Sequence, residues 1–249
     1  MTASSDKSGL PLSGRTVLVT GANGGLGQEF VTQALERGAR KIYAAARTPR
    51  SWPDTRVQPL SLDITSADAV IRAVAMAPDV DLLINNAAIA PSSDSISGPE
   101  DELRRIFETN FFGSLRVANA FAPILAANGG GTLLNILSSA AWISMPTAYA
   151  ASKAAFWSAT NALRFELEGQ GTQVMGLLVG MIDTPMAAGY DVPKSSPASV
   201  VSQAYEGVTT GALEVLADDL TRDLKSRLNT KAEDFYPWMH AQLRAFFAA

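Results

Sequence analysis

The chain has 249 residues, 47% hydrophobic and 18% charged, with a formal net charge of -4. That is long enough to bury a full core, and the mild acidity offers no basic block for nucleic acid or an anionic membrane. Cysteine is absent and the single histidine is His240, which excludes disulfides, thiolate nucleophiles and His- or Cys-based metal sites and leaves Tyr, Lys, Asp and Glu to move protons.

The first residues are polar and lack the apolar core of a signal peptide, so residues 1–12 are expected to form a flexible tail and 13–249 a single domain. No apolar run reaches the length of about 20 residues that a membrane span needs. The cysteine-free composition fits a reducing compartment, and the expected location is cytoplasmic. From Arg15 onward strand-like and helix-like segments alternate, the pattern of βαβ units and a parallel sheet.

The first strand is Thr16 to Thr20, a β-branched apolar run suited to burial on both faces. The turn from Gly21 to Gly27 follows, then a helix over about 28–37 that stops at Gly38. A glycine-rich turn between a strand and a helix suits a dinucleotide: the backbone can approach the pyrophosphate, and the helix N-terminus offers unpaired N–H groups. The second strand, Lys41 to Ala46, ends at Arg47 rather than at the acid that would bind a ribose 2′-hydroxyl. A guanidinium suits a 2′-phosphate, so Arg47, with Arg50 nearby, favours NADP(H) over NAD(H). The competing reading of Arg47 is a solvated loop residue.

A short third strand over 57–60 leads to Asp63, which suits either an adenine amine or the cap of a helix over 66–77. A fourth strand, 80–84, runs into Asn85-Asn86-Ala87-Ala88, at the sheet edge where cofactors bind, although asparagine also favours turns. A loop over 90–99 precedes one long helix over about 101–127, with Asn110 inside it as a poor helix former. The fifth strand, 132–137, ends in Ser138-Ser139. The next helix, 149–168, opens with Tyr149 and Lys153, four residues apart and therefore on one face. A lysine beside a tyrosine favours the phenolate and should lower its pKa from about 10, giving a proton donor usable near neutrality.

A sixth strand over 173–179 precedes Gly180, a loop, and a helix over about 197–212. A short seventh strand over 214–217 precedes an amphipathic helical end with Trp238, Leu243, Phe246 and Phe247. His240 reads as a packed or surface residue. Trp142, Met145, Met186 and Tyr190, with Phe156, suit an apolar substrate pocket, while Phe156 at helical spacing equally suits the core.

Taken in this order, the motifs resemble those of the short-chain dehydrogenases/reductases over about 12–217. Thr20 to Gly27 resembles the family's TGxxxGxG turn, Asn85 to Ala88 its NNAG motif with alanine last, and Ser138, Tyr149 and Lys153 its catalytic serine, tyrosine and lysine. The interval from Ser138 to Tyr149 is 11 residues, two shorter than is usual in the family. A deletion after Pro146 accounts for this and favours Ser138, with Ser139 as the alternative. The usual Pro-Gly after the sixth strand is Val179-Gly180 here.

The resemblance implies a Rossmann-like doubly wound parallel sheet of about seven strands with helices on both faces. It implies hydride transfer between a nicotinamide cofactor and a ketone or secondary alcohol. Ser138 would hydrogen-bond the substrate oxygen, Tyr149 would exchange its proton, and Lys153 would lower the tyrosine pKa and hold ribose hydroxyls. Asn110 would fix a water linked to Lys153. Cofactor contacts would come from Gly21, Asn23, Gly25, Leu26, Gly27, Arg47, Asp63, Ile64, Asn86, Ala87, Ala88, Gly180, Ile182 and Thr184, together with Tyr149 and Lys153. The same resemblance suggests a homodimer or homotetramer paired through the helices at 101–127 and 149–168. Competing functions are an inactive NADP(H) sensor, an epimerase or dehydratase on the same fold, and a methyltransferase, which would not need the Tyr–Lys pair.

Overall fold

The structure, a computed structural model, describes residues 11–90, 95–143 and 145–248, with side chains through 245. The expected tail through residue 10, part of the loop at 91–94 and the side chains of Phe246 and Phe247 lie outside the described residues. Leu12, which the sequence reading assigns to the tail, is buried in the core.

Seven parallel strands form one sheet in the order β3-β2-β1-β4-β5-β6-β7. They are β1 (Thr16–Thr20), β2 (Lys41–Ala46), β3 (Val57–Ser61), β4 (Leu82–Asn85), β5 (Thr132–Ile136), β6 (Gln173–Leu178) and β7 (Glu214–Leu216). This is the expected Rossmann-like doubly wound fold. The central strands read as near-continuous apolar runs because helices cover both faces. The edge strand β3 buries only Val57 and Leu60 and tolerates Pro59, since an edge position needs no second ladder partner there.

Two apolar layers flank the sheet. One packs α1 (Gly25–Glu36) and α6 (Pro197–Thr210) around Phe30, Val200 and Tyr205. The other packs α2 (Ala67–Met76), α4 (Ser114–Ala127) and α5 (Ala148–Glu168) around Val70, Phe121 and Leu163. Ser66, not Asp63, caps α2: its Oγ accepts from Ala69 N at 3.3 Å. Asp63 instead closes its own turn, accepting from Thr65 N at 2.9 Å.

The expected single helix over 101–127 is broken. It begins as α3 (Glu100–Phe107), widens into a π turn at Glu108–Gly113 and resumes as α4. Asn110 sits in the π turn, where its side chain bonds to Ile89 instead of facing solvent. Such turns often mark functional sites. The amphipathic end resolves into two helices, α7 (Asp219–Arg227) and α8 (Ala232–Ala248). Among the described residues no helix is long and apolar enough to cross a membrane.

Candidate active site

The strand order reverses between β1 and β4, and the carboxyl ends of these strands part there to leave a crevice. Thr20 fastens its floor. Its Oγ1 accepts from Asn86 N and Ala87 N, both at 3.0 Å, and Asn86 Nδ2 donates to Thr20 O at 2.9 Å. Gly21 turns away from β1 with a φ of +66°, a left-handed conformation that favours glycine. A Cβ on Gly27 would overlap the Gly21 carbonyl and come within 2.9 Å of Ala22 Cα. A Cβ on Gly25 would meet Thr184 Cγ2 at 3.0 Å, so the glycine turn touches the loop after β6.

The crevice opens into a cavity of about 2130 Å³. At one end it is lined by Gly21, Asn23, Gly25, Leu26 and Gly27, with Arg47, Asp63 and Ile64 along the adjoining wall. The N-cap of α1 is Gly24, which has no side-chain cap, and the first turn holds no acid. Its N–H groups therefore present an uncompensated positive dipole end. Asp63 is held below the usual carboxylate range by the Thr65 hydroxyl at 2.7 Å and the Thr65 amide, with the charges of Arg47 and Arg116 adding to this. Arg47 is exposed at the rim. Arg50 is not among the lining residues; it stacks on Trp52 at 4.0 Å.

Asn86, Ala87 and Thr184 adjoin the glycine turn, and the lining continues through Ala88, Ser138, Ser139, Tyr149, Lys153, Gly180 and Ile182. Thr147 caps α5 by accepting from Ala150 N at 3.1 Å, which starts the helix one residue before Tyr149. The helical offset then places Tyr149 and Lys153 on the same cavity wall. Lys153 is 3% exposed, and its Nζ donates to Ile136 O at 2.8 Å. It lies 5.6 Å from the Tyr149 ring centroid.

The phenol does not have the lowered pKa expected from the sequence. Burial pushes Tyr149 up to about 12, and the neighbouring Ser138 hydroxyl only partly offsets this. Burial likewise pushes Lys153 down to about 8. Desolvation leads both shifts, and the ammonium is turned toward the Ile136 carbonyl rather than the phenol oxygen. Ser138, rather than Ser139, is the serine beside the phenol. It accepts from Ala140 N at 3.1 Å and donates to Val179 O at 3.4 Å.

These shifts carry a stability prediction. Lys153 has a folded pKa near 8 against an ordinary 10.5, so between those values the unfolded chain binds more protons and stability rises with pH. Below pH 8 both states are protonated and the cost of burying the charge is fully present. Relative to Lys153→Met, the wild type without added cofactor should gain about 2 kcal/mol between pH 7 and 9.5 in denaturant titrations. Parallel pH dependences in the two proteins would contradict the buried ammonium.

Three expected residues stand elsewhere or act otherwise. Trp142 does not line the cavity. It is buried edge-on against Trp157, with ring centroids 5.9 Å apart, and Lys225 Nζ lies 4.9 Å above its ring. Phe156 is also core, at 1% exposure. Asn110 is fully buried and does not line the cavity; its amide donates to Ile89 O at 3.0 Å and Ser152 Oγ at 3.4 Å, so both donors are committed. Met145, Met186 and Tyr190 do line the cavity.

The remaining wall was not expected. It is built by Ile143 and by Leu220, Leu224, Trp238, Met239 and Leu243 of α7 and α8. Its only sequence signal is the amphipathic pattern of the C-terminal segment, which a core helix shares. His240 is exposed beside Tyr236.

A crevice of this kind sets a dinucleotide against side chains able to move a proton, the arrangement of the dinucleotide-dependent oxidoreductases. Comparison with known proteins narrows the class. The family model described as short chain dehydrogenase matches residues 15–193. An uncharacterized oxidoreductase of Myxococcus xanthus is 30% identical over 92% of this chain and 90% of its own length. A 1-deoxy-11-beta-hydroxypentalenate dehydrogenase of Streptomyces exfoliatus is 29% identical over 93% of this chain and 91% of its own. A crystal structure of a short chain dehydrogenase from Burkholderia cenocepacia, in complex with NADP, superposes with a TM-score of 0.88 at 33% identity. It covers 92% of this chain and 99% of that one. The chain belongs to the short-chain dehydrogenase/reductase family of nicotinamide-dependent oxidoreductases.

Proposed function

We propose that the protein uses NADP(H) to interconvert an apolar ketone and its secondary alcohol. The reading is carried by one observation: Ser138, Tyr149 and Lys153 line the same cavity as the open N-terminal turn of α1. The cofactor fits this chain, because the cradle at Gly21 and Gly27 has no room for side chains and α1 presents an uncapped positive end. When bound, the nicotinamide supplies or accepts the hydride.

The chain's own residues handle the oxygen and its proton. Ser138 donates a hydrogen bond to the substrate oxygen, which gains negative charge during reduction. Tyr149, protonated at neutral pH, gives its proton to that oxygen. Lys153 titrates below Tyr149, so its ammonium is the stronger acid and can restore the phenol's proton. Asn110 holds the segment at Ile89 against the π turn through its side chain, a positioning role.

Arg47 supports NADP(H) over NAD(H), since its exposed guanidinium at the rim suits a 2′-phosphate. Arg47→Asp should weaken NADPH by about 10–100-fold and leave NADH little changed, the loss of one charge-assisted bidentate contact. Equal affinity of the wild type for NADPH and NADH would rule this reading out. The methionines and leucines at 145, 186, 220, 224, 239 and 243 support an apolar substrate. The Streptomyces exfoliatus relative is named as the dehydrogenase of a hydroxy compound, which supports an alcohol–ketone pair. Loss of NADPH absorbance with a panel of cyclic and long-chain ketones tests activity and substrate class, and a uniformly silent panel would favour an NADP(H)-binding protein without turnover. Phe112 and Phe165, 49% and 82% exposed, lie on the π turn and α5 and support pairing of two copies through these helices.

A further inference from the structure

The loop after β6 and the helix after β7 share one carboxylate. Asp218 Oδ2 accepts from Gly180 N at 2.5 Å, and Oδ1 accepts from Thr221 N at 2.7 Å. The second bond is the N-cap of α7. The first is not needed by the helix, and it reaches back to the segment that lines the cavity with Gly180, Ile182 and Thr184. The β6–β7 ladder stops just short of it, with Ala217 N donating to Leu178 O at 2.9 Å. Beyond that point Asp218 holds the Gly180 amide, and Ser195 pairs with Met181 and Asp183 further along the loop.

The connections on either side join the catalytic groups. Val179, which precedes Gly180, accepts from Ser139 N at 3.0 Å and from Ser138 Oγ at 3.4 Å. On the other side, α7 brings Leu220 and Leu224 to the cavity wall. A carboxylate bonded to two backbone amides is stronger and more directional than neutral pairs.

We infer that Asp218 is a positioning residue that fixes the cavity-lining loop after β6 and the substrate wall in one frame. The inference rests on the nicotinamide-cofactor reading above. It concerns how the chain orients the half of the dinucleotide beside Ser138, Tyr149 and Lys153, as distinct from the adenosine half on the side of Arg47 and Asp63.

The test compares NADP⁺ with 2′,5′-ADP, which carries only the adenosine half, by titration calorimetry on the full chain. Asp218→Ser keeps a hydroxyl to cap Thr221 N but is too short to reach Gly180 as well. It should bind 2′,5′-ADP as the wild type does and NADP⁺ about tenfold more weakly, the loss of one charge-assisted bond. The KM for the ketone should rise in the same variant, because α7 carries part of the wall. An unchanged NADP⁺ to 2′,5′-ADP affinity ratio overturns the proposal, whether both ligands are retained or both are lost together. If the serine variant does not fold, Asp218→Asn offers one carbonyl for two amides and should show a several-fold change in the same ratio; an unchanged ratio there is equally fatal. A wild type that binds neither NADP⁺ nor NAD⁺ overturns the cofactor reading itself, and that arm is read before any variant.

Discussion

Tyr149→Phe should lower kcat for carbonyl reduction by about 10²–10⁴-fold while leaving NADPH affinity within about twofold, the usual range for removal of a general acid. The ring packs as before, so only the hydroxyl beside Ser138 is lost. The pH dependence gives an independent check. With the phenol pushed up to about 12, the donating form prevails throughout the neutral range, and Tyr149 imposes no loss of reduction until strongly alkaline pH. Alcohol oxidation needs the phenolate, which is scarce at pH 7, so its rate should climb as pH rises. Stopped-flow measurement of both directions at pH 7 and 9.5 decides the matter. Reduction that survives in Tyr149→Phe, or oxidation that is flat with pH, would remove Tyr149 from the proton path.

The second large effect is expected at Gly27. A Cβ there would overlap the Gly21 carbonyl and press on Ala22 Cα at 2.9 Å, and both obstacles are backbone that cannot rotate aside. Gly27→Ala should therefore cost about 1–3 kcal/mol of stability, the usual penalty for overpacking. The turn must shift to admit the methyl group, which moves the N–H groups of α1 off the pyrophosphate. NADPH affinity should fall by about 100-fold, the equivalent of one or two charge-assisted hydrogen bonds. Gly24→Ala is the matched comparison, because its Cβ would find only Gly21 O, at 3.4 Å. Calorimetry and thermal melts on the two variants measure both quantities; wild-type affinity in Gly27→Ala would contradict the cradle.

Much of the framework was readable along the chain because its causes are local. Strand β1 is a β-branched apolar run and the glycine turn follows it at once, whereas the cap of α2 fell to Ser66 rather than to Asp63. The four-residue offset of Tyr149 and Lys153 needs only helical geometry to put them on one wall. Boundaries moved by a few residues, as at α1, which begins at Gly25 because glycines of the turn already adopt helical geometry.

The departures have non-local causes. Helix 101–127 breaks into a π turn where Asn110 finds the backbone of Ile89, a partner from another segment. Trp142 leaves the expected pocket for the core, where it packs edge-on with Trp157 and under Lys225. The substrate wall comes from α7 and α8, whose amphipathic pattern says only that one side is covered, not by what.

Periodicity and turn chemistry, which act between neighbours in sequence, thus determined the βαβ order and the place of the glycine turn, and helical offset put Tyr149 and Lys153 on one face, while the choice between Ser138 and Ser139 stayed open. The charge state of the Ser–Tyr–Lys group, its walls and its tie to Asp218 were decided by folding alone. Desolvation sums over every atom packed around a side chain, and most of those atoms belong to residues far away in the chain. That is why the Tyr149 phenol, which the adjacent lysine suggests should be acidic, is held near 12 instead.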